Sequence, residues 1–137
     1  MVLTSTQIEN KSYQLEEMED SEACSSAIYL NADGSVAMGV TDGPQPSSVQ
    51  GTWNYDDDKK ELRMDIKRSF EGDYPFEVRR FLVGHLDERK GSELVVFSGN
   101  LFRDPTDFSR EEAVGYFSMI IANDDLPSEN YDISKEQ

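Results

Sequence analysis

Glu61-Leu62-Arg63-Met64-Asp65-Ile66-Lys67-Arg68-Ser69-Phe70 alternates with a period of two: every even position is apolar except Arg68, and every odd position through Ser69 is charged or polar. This is the pattern of a β-strand with one face in a core and the other in water. The following stretch continues it, with Phe76, Val78, Leu82 and Leu86 in one phase and Arg80 as the exception, although Phe81 and Val83 make the opposite face partly apolar. Further strand-like runs cover 92–102 and 113–121, and shorter ones cover 27–30, 35–40 and 49–55. A weak run at 13–15 brings the total to seven or eight strands.

The breaks carry turn chemistry. Asn31-Ala32-Asp33-Gly34 reads as a tight hairpin, Asp42-Gly43-Pro44-Gln45-Pro46 as a longer loop, Asp56-Asp57-Asp58-Lys59 and Gly72-Asp73-Tyr74-Pro75 as polar reversals, and 87–91 as a fifth. Connections this short cannot carry the crossover that parallel strands require, so sequential strands are antiparallel neighbours. Gly51, Gly84, Gly99 and Gly115 interrupt the strands where a sheet bends or another backbone comes close. The fold class expected is all-β: an antiparallel meander of seven to eight strands forming a barrel or strongly curved sheet, with one short helix. That helix is expected after Asp104-Pro105-Thr106-Asp107, where an N-cap residue and a proline precede Phe108-Ser109-Arg110-Glu111-Glu112. It reads either as a lid beside a barrel mouth or as a plain crossing between strands.

With 137 residues the chain has room for one domain. The division expected is a partly ordered N-terminal segment over 1–23, a β domain over 24–122 and an acidic flexible tail over 123–137. Within the first segment, 12–23 is ambiguous between helix and strand, because Leu15 and Met18 have helical spacing while Tyr13 and Leu15 alternate.

The formal charge is −15, and it is unevenly placed. Eleven of the thirteen Lys and Arg residues lie between Lys59 and Arg110, where ten acids balance them, whereas 12–58 holds ten acids and neither Lys nor Arg. A negative total opposes binding to nucleic acid or anionic membrane surfaces, which need a positive footprint. No run approaches the ~18 apolar residues of a spanning helix, and the N-terminus lacks the regions of a signal peptide, so the chain reads as soluble. The single cysteine, Cys24, precludes an intrachain disulfide and favours a reducing compartment.

No catalytic constellation, metal site or cofactor motif emerges. His85 is the only histidine and falls in the solvent-facing phase with Glu77 and Arg79. One His and one Cys cannot make a zinc site, and Cys24, beside acidic residues, reads as inert. The adjacent carboxylates of Asp56-Asp57-Asp58 lack the spaced ligands of a calcium loop, and the glycines form no phosphate-binding pattern.

There remains the pair Arg68 and Arg80. If both strands present their apolar phase to one interior, two guanidinium groups enter it from adjacent strands, and burying them without a partner costs several kcal/mol. Matching phases of the four longest runs contain no Asp or Glu, so a ligand carboxylate or phosphate is one way to satisfy them. Structural placement is the competing reading, with Arg68 reaching solvent and Arg80 an acidic loop. Ser98 and Asn100 are candidates for further hydrogen bonds, and Trp53, Tyr74, Phe76, Phe97 and Phe117 for an apolar lining that could equally fill a dry core.

Gly51-Thr52-Trp53, a Gly-x-Trp tripeptide in a short chain of meandering strands, resembles the lipocalin and fatty-acid-binding (calycin) barrels; here two or three strands precede it. The resemblance implies a barrel that carries a small hydrophobic ligand. Taken together, the function expected is noncatalytic binding of a small amphipathic or hydrophobic anion, ligand-binding residues being Arg68, Arg80, Trp53, Phe76, Phe97, Ser98, Asn100 and Phe117. The alternative is an acidic interaction module that recruits a basic protein partner around a filled core, and the third is an enzyme with scattered catalytic groups.

Overall fold

The alternation that begins at Glu61 is realised as a ten-residue strand, and the same rule organises the rest of the chain. The computed structural model describes residues 8–86 and 96–122. The reversal expected at 87–91, the start of the 92–102 run and the acidic tail at 123–137 lie outside the described residues. Among the described residues eight strands run in the order β1 (Lys11–Glu19), β2 (Glu22–Leu30), β3 (Val36–Thr41), β4 (Ser48–Asp56), β5 (Glu61–Phe70), β6 (Phe76–Leu86), β7 (Val96–Phe102) and β8 (Gly115–Ile121). The ambiguous N-terminal stretch is therefore strand, and it is a full member of the sheet.

Every pairing among the described residues is antiparallel, in the order β3-β2-β1-β8-β7-β6-β5-β4. Because β1 pairs with both β2 and β8, the first and last strands meet and the meander curls into a nearly closed barrel. Its seam lies between β3 and β4, where Ser35 bridges Thr52 and the Trp53 amide donates to the Gly34 carbonyl at 2.8 Å. Closure leaves few unpaired strand edges, which is how a sheet of this length avoids edge-to-edge association.

Registers fix which side chains look inward. Pairing Met64 with Leu82, Leu82 with Leu101, Gly99 with Phe117 and Phe117 with Glu17 places one phase of β5, β6, β7, β8 and β1 in the interior. One half of the barrel is solidly filled. Tyr13, Leu15, Ile28, Leu30, Leu62, Ile66, Phe97, Phe117 and Met119 are fully or almost fully buried there, with Ile8 among them. The Tyr13 hydroxyl donates to the Ile8 carbonyl at 2.8 Å, and the Trp53 indole N–H donates to the Asn31 carbonyl at 2.7 Å, so neither buried polar atom is orphaned. Burial pushes the Tyr13 phenol upward and keeps it neutral.

Two glycines let the wall pack closely. Gly84 and Gly99 face each other across β6 and β7. A Cβ at Gly84 would stand 2.7 Å from the Phe117 ring, and one at Gly99 would collide with the Val83 carbonyl and the Gly84 Cα. The missing side chain at Gly84 leaves a dent that Phe117 occupies, and the one at Gly99 lets β6 and β7 approach closely.

The connection between β7 and β8 differs from the expected helix. Asp104 accepts hydrogen bonds from the Thr106 amide (2.9 Å) and hydroxyl (2.7 Å), and Asp107 accepts from the Ser109 amide at 2.9 Å, so both acids close local turns instead of capping an α-helix. A single 3-10 turn, Arg110–Glu112, comes next. Phe108 packs against Phe81 and Phe102 on the outer wall, with the Arg63 guanidinium 5.1 Å above its ring. The connection is a crossing fastened to the outside of the barrel, and it does not cover the mouth.

Gly99→Ala should lower stability by about 3 kcal/mol or more, because the clash is with backbone and cannot be relieved by a rotamer change. Urea unfolding followed by far-UV circular dichroism measures this directly.

Candidate functional site

The other half of the barrel is not filled. A cavity of about 300 Å³ opens at the end bounded by the β1–β2 turn, the β3–β4 loop and the β5–β6 hairpin. Arg68 and Arg80 both line it, together with Phe70 and Val78 from β5 and β6, Met38 and Thr41 from β3, Pro44 and Pro46 from the loop, and Leu101 from β7. The two in-phase arginines thus share one space, which we call the cup.

Their charges are met from across the barrel. Arg68 Nη2 donates to Glu17 Oε1 at 2.7 Å, and both side chains are largely buried, 13% and 8% exposed. Arg80 makes a two-point contact with Glu19, Nε to Oε1 at 2.8 Å and Nη2 to Oε2 at 2.7 Å, and its Nη1 donates to the Arg79 carbonyl. From the outside, Arg103 adds a weaker approach to Glu19 at 3.7 Å. In the strand order, β1 stands opposite β5, with β8, β7 and β6 between them on one side and β2, β3 and β4 on the other. The pairs therefore span the interior and form the floor of the cup, above the packed rings. The hydrogen bond from Arg80 holds the Glu19 carboxyl below its ordinary value of 4.5, and the same bond raises Arg80.

The remaining expected site residues are dispersed. Trp53 lies in the filled half beside Asn31, and Phe97 and Phe117 are core rings. Ser98 and Asn100 fall in the outward phase of β7: Ser98 is exposed, and Asn100 donates to the Gly115 carbonyl at 3.3 Å. Hydrogen bonds from these two into the cup are thereby excluded, because Phe97 and Leu101, not the even positions, face inward on this strand. Phe76 is 56% exposed at the rim, stacked on Phe70 with centroids 4.8 Å apart, and Tyr74 is 90% exposed on the hairpin beyond it. Of the eight residues expected at the site, Arg68 and Arg80 line the cup and Phe76 flanks it.

Glu17 and Glu19 are the cup residues that the sequence pattern did not single out. The signal was present: Tyr13, Leu15, Glu17 and Glu19 share one phase, so assigning β1 as a strand would have carried both acids inward. Cys24 also lines the cup, with its sulfur 3.2 Å from the Thr41 hydroxyl. His85 is exposed, 3.5 Å from Glu61, and the Asp56 carboxylate accepts from the amides of Asp58 and Lys59 to build its turn. No group of three or more metal-ligating side chains occurs among the described residues. No described helix is long and apolar enough to cross a membrane.

Removing one partner of the Arg68–Glu17 pair leaves an uncompensated, largely buried charge. Glu17→Ala should cost about 3 kcal/mol in urea unfolding, whereas Glu17→Leu combined with Arg68→Met should recover most of that loss. A second expectation concerns acid. Because the folded protein keeps Glu19 ionised to lower pH than the unfolded chain does, stability from this pair is complete above 4.5 and is lost as the pH falls below that value. Glu19→Gln should flatten the acid limb of stability when unfolding is compared from about pH 6 to about pH 3.

Comparison with protein-family models, curated proteins and solved structures finds no match to this chain.

Proposed function

We propose that this chain is a noncatalytic β-barrel that holds a small amphipathic molecule in the cup. The apolar body would lie against Phe70, Val78, Met38 and the two loop prolines, with the polar group at the Arg–Glu floor. The observation that carries this reading is the shared cavity of about 300 Å³, in which two interior arginines meet a largely apolar wall. That volume stands at the lower end of small-molecule sites. Tyr13, Phe97 and Phe117 occupy the barrel beneath it, so a small ligand fits and an enclosed long-chain lipid does not. An eight-stranded meander with one open end is also the form that lipocalin-like carriers use, which supports the reading by analogy of architecture.

An anionic head group would be required if the guanidinium groups lacked a carboxylate within the protein. Glu17 and Glu19 meet that need, so neither guanidinium requires an acid from outside. Arg68 keeps further donors in its five N–H groups beyond the one given to Glu17, so a hydroxyl or carbonyl oxygen can be accommodated without breaking a pair.

Amide ¹H–¹⁵N spectra titrated with a panel of bicyclic aromatic alcohols should shift signals of Met38, Phe70, Val78 and Leu101. Attaching a bulky maleimide to Cys24 should abolish those shifts. Shifts scattered over the outer faces, together with a native mass spectrum free of any retained small molecule, would overturn the reading.

A further inference from the structure

We propose that the cup discriminates by charge and takes a cationic head group, a small amphipathic amine or quaternary ammonium, in preference to an acid. The inference rests on the reading of the cup as a binding site and adds the sign of the ligand. Its lining holds four carboxylates, Glu17, Glu19, Asp20 and Glu22, against two guanidinium groups, Arg68 and Arg80. Both guanidinium groups are already engaged at 2.7 Å, which leaves the charges of Asp20 and Glu22 in excess. Neither lies at ion-pair distance from a described cation, and Asp20 acts on Arg80 only at longer range.

Their positions are fixed by backbone. Asp20 and Ser21 have φ of +54° and +65°, the signature of the tight two-residue turn that joins β1 to β2, and the Glu19–Glu22 pairing closes it. The surplus acids are thereby held on one side of the rim. The facing side is apolar and aromatic: Phe70, braced by its stack with Phe76, and Val78, with Pro44 and Pro46 from the loop. A cation is favoured near a carboxylate and also over an aromatic face, whereas an anion is favoured by neither. Arg103, which touches Glu19 from outside, does not line the cup.

The two head groups also differ in what they must displace. An acid reaches Arg80 only by exchanging with Glu19, already in two-point contact, and one that takes the spare N–H groups of Arg68 stands beside Glu17 and the excess carboxylates. An ammonium group leaves both pairs intact. The formal charge of −15 adds a long-range attraction for cations that added salt will screen.

Three probes with one apolar body separate the possibilities: 2-naphthylmethylammonium, 2-naphthalenemethanol and 2-naphthoate, titrated into the whole chain and followed by amide shifts around the cup. The ammonium should bind roughly tenfold or more tighter than the carboxylate at low salt, and the gap should narrow as salt is raised. Asp20→Asn combined with Glu22→Gln should weaken the ammonium roughly tenfold and leave the alcohol unchanged. Asparagine tolerates the positive φ at position 20, so the turn survives the substitution. Carboxylate binding equal to or tighter than ammonium binding, with the alcohol still shifting the cup, would refute charge selection and leave the cup reading standing. An ammonium preference that persists in the double variant would also refute it. If none of the three shifts the cup, the binding-site reading itself fails and the inference with it.

Discussion

Two ion pairs cross the interior of this barrel, and the character of its open half depends on them. Arg68 with Glu17 and Arg80 with Glu19 join β5 and β6 to β1 on the opposite wall. Two long charged side chains meeting head to head can bridge a width that one apolar residue cannot fill. The pairs therefore tie the walls together without filling the space above them. Bringing such charges out of water is costly, and a partner at hydrogen-bond distance offsets much of that cost. An apolar layer in their place would be of comparable stability but would leave less of a cup.

The two halves of the barrel solve the same packing problem differently. In one, Phe97, Phe117, Tyr13 and Trp53 occupy the interior, and the absent side chain at Gly84 makes room for the Phe117 ring. In the other, the wall residues are Val78, Met38, Phe70 and loop prolines, and polar side chains supply the floor. The step between the halves follows the tilt of the strands. Going round the barrel along the pairing Trp53–Met64–Leu82–Leu101–Gly115–Glu19, one register row begins in the packed half and ends beside the cup.

The cation-rich stretch from Lys59 to Arg110 has a plain explanation on the outer surface. Arg79 grips Asp65 through two hydrogen bonds, Arg63 meets Glu61 at 2.8 Å, and Lys67 approaches Glu77 at 3.9 Å. These are exposed pairs between residues of the polar phase, each contributing little to stability in water. They neutralise the middle of the chain locally and, with Glu17 and Glu19 taken by Arg68 and Arg80, leave Asp20 and Glu22 of the β1–β2 hairpin without matching cations. The charge that distinguishes the cup is the remainder of that pairing.

Alternation and turn residues alone determined the strand class, the antiparallel meander, the outward phase of His85 and the inward phase of Arg68 and Arg80, because side-chain direction in a strand depends only on parity. Parity was misleading on β7, where both Phe97 and Phe102 are buried, one in the core and one beneath Phe108, so a mixed apolar pattern left Ser98 and Asn100 on the wrong face. The expected short helix is realised only as the 3-10 turn Arg110–Glu112, since Asp104 and Asp107 close turns instead of capping an α-helix. Only tertiary structure decided that Glu17 and Glu19 would meet the arginines. Partners 51 and 61 residues apart are brought together by closure of β1 onto β8 and by the stagger of a tilted barrel, and neither is encoded in the spacing of any one strand.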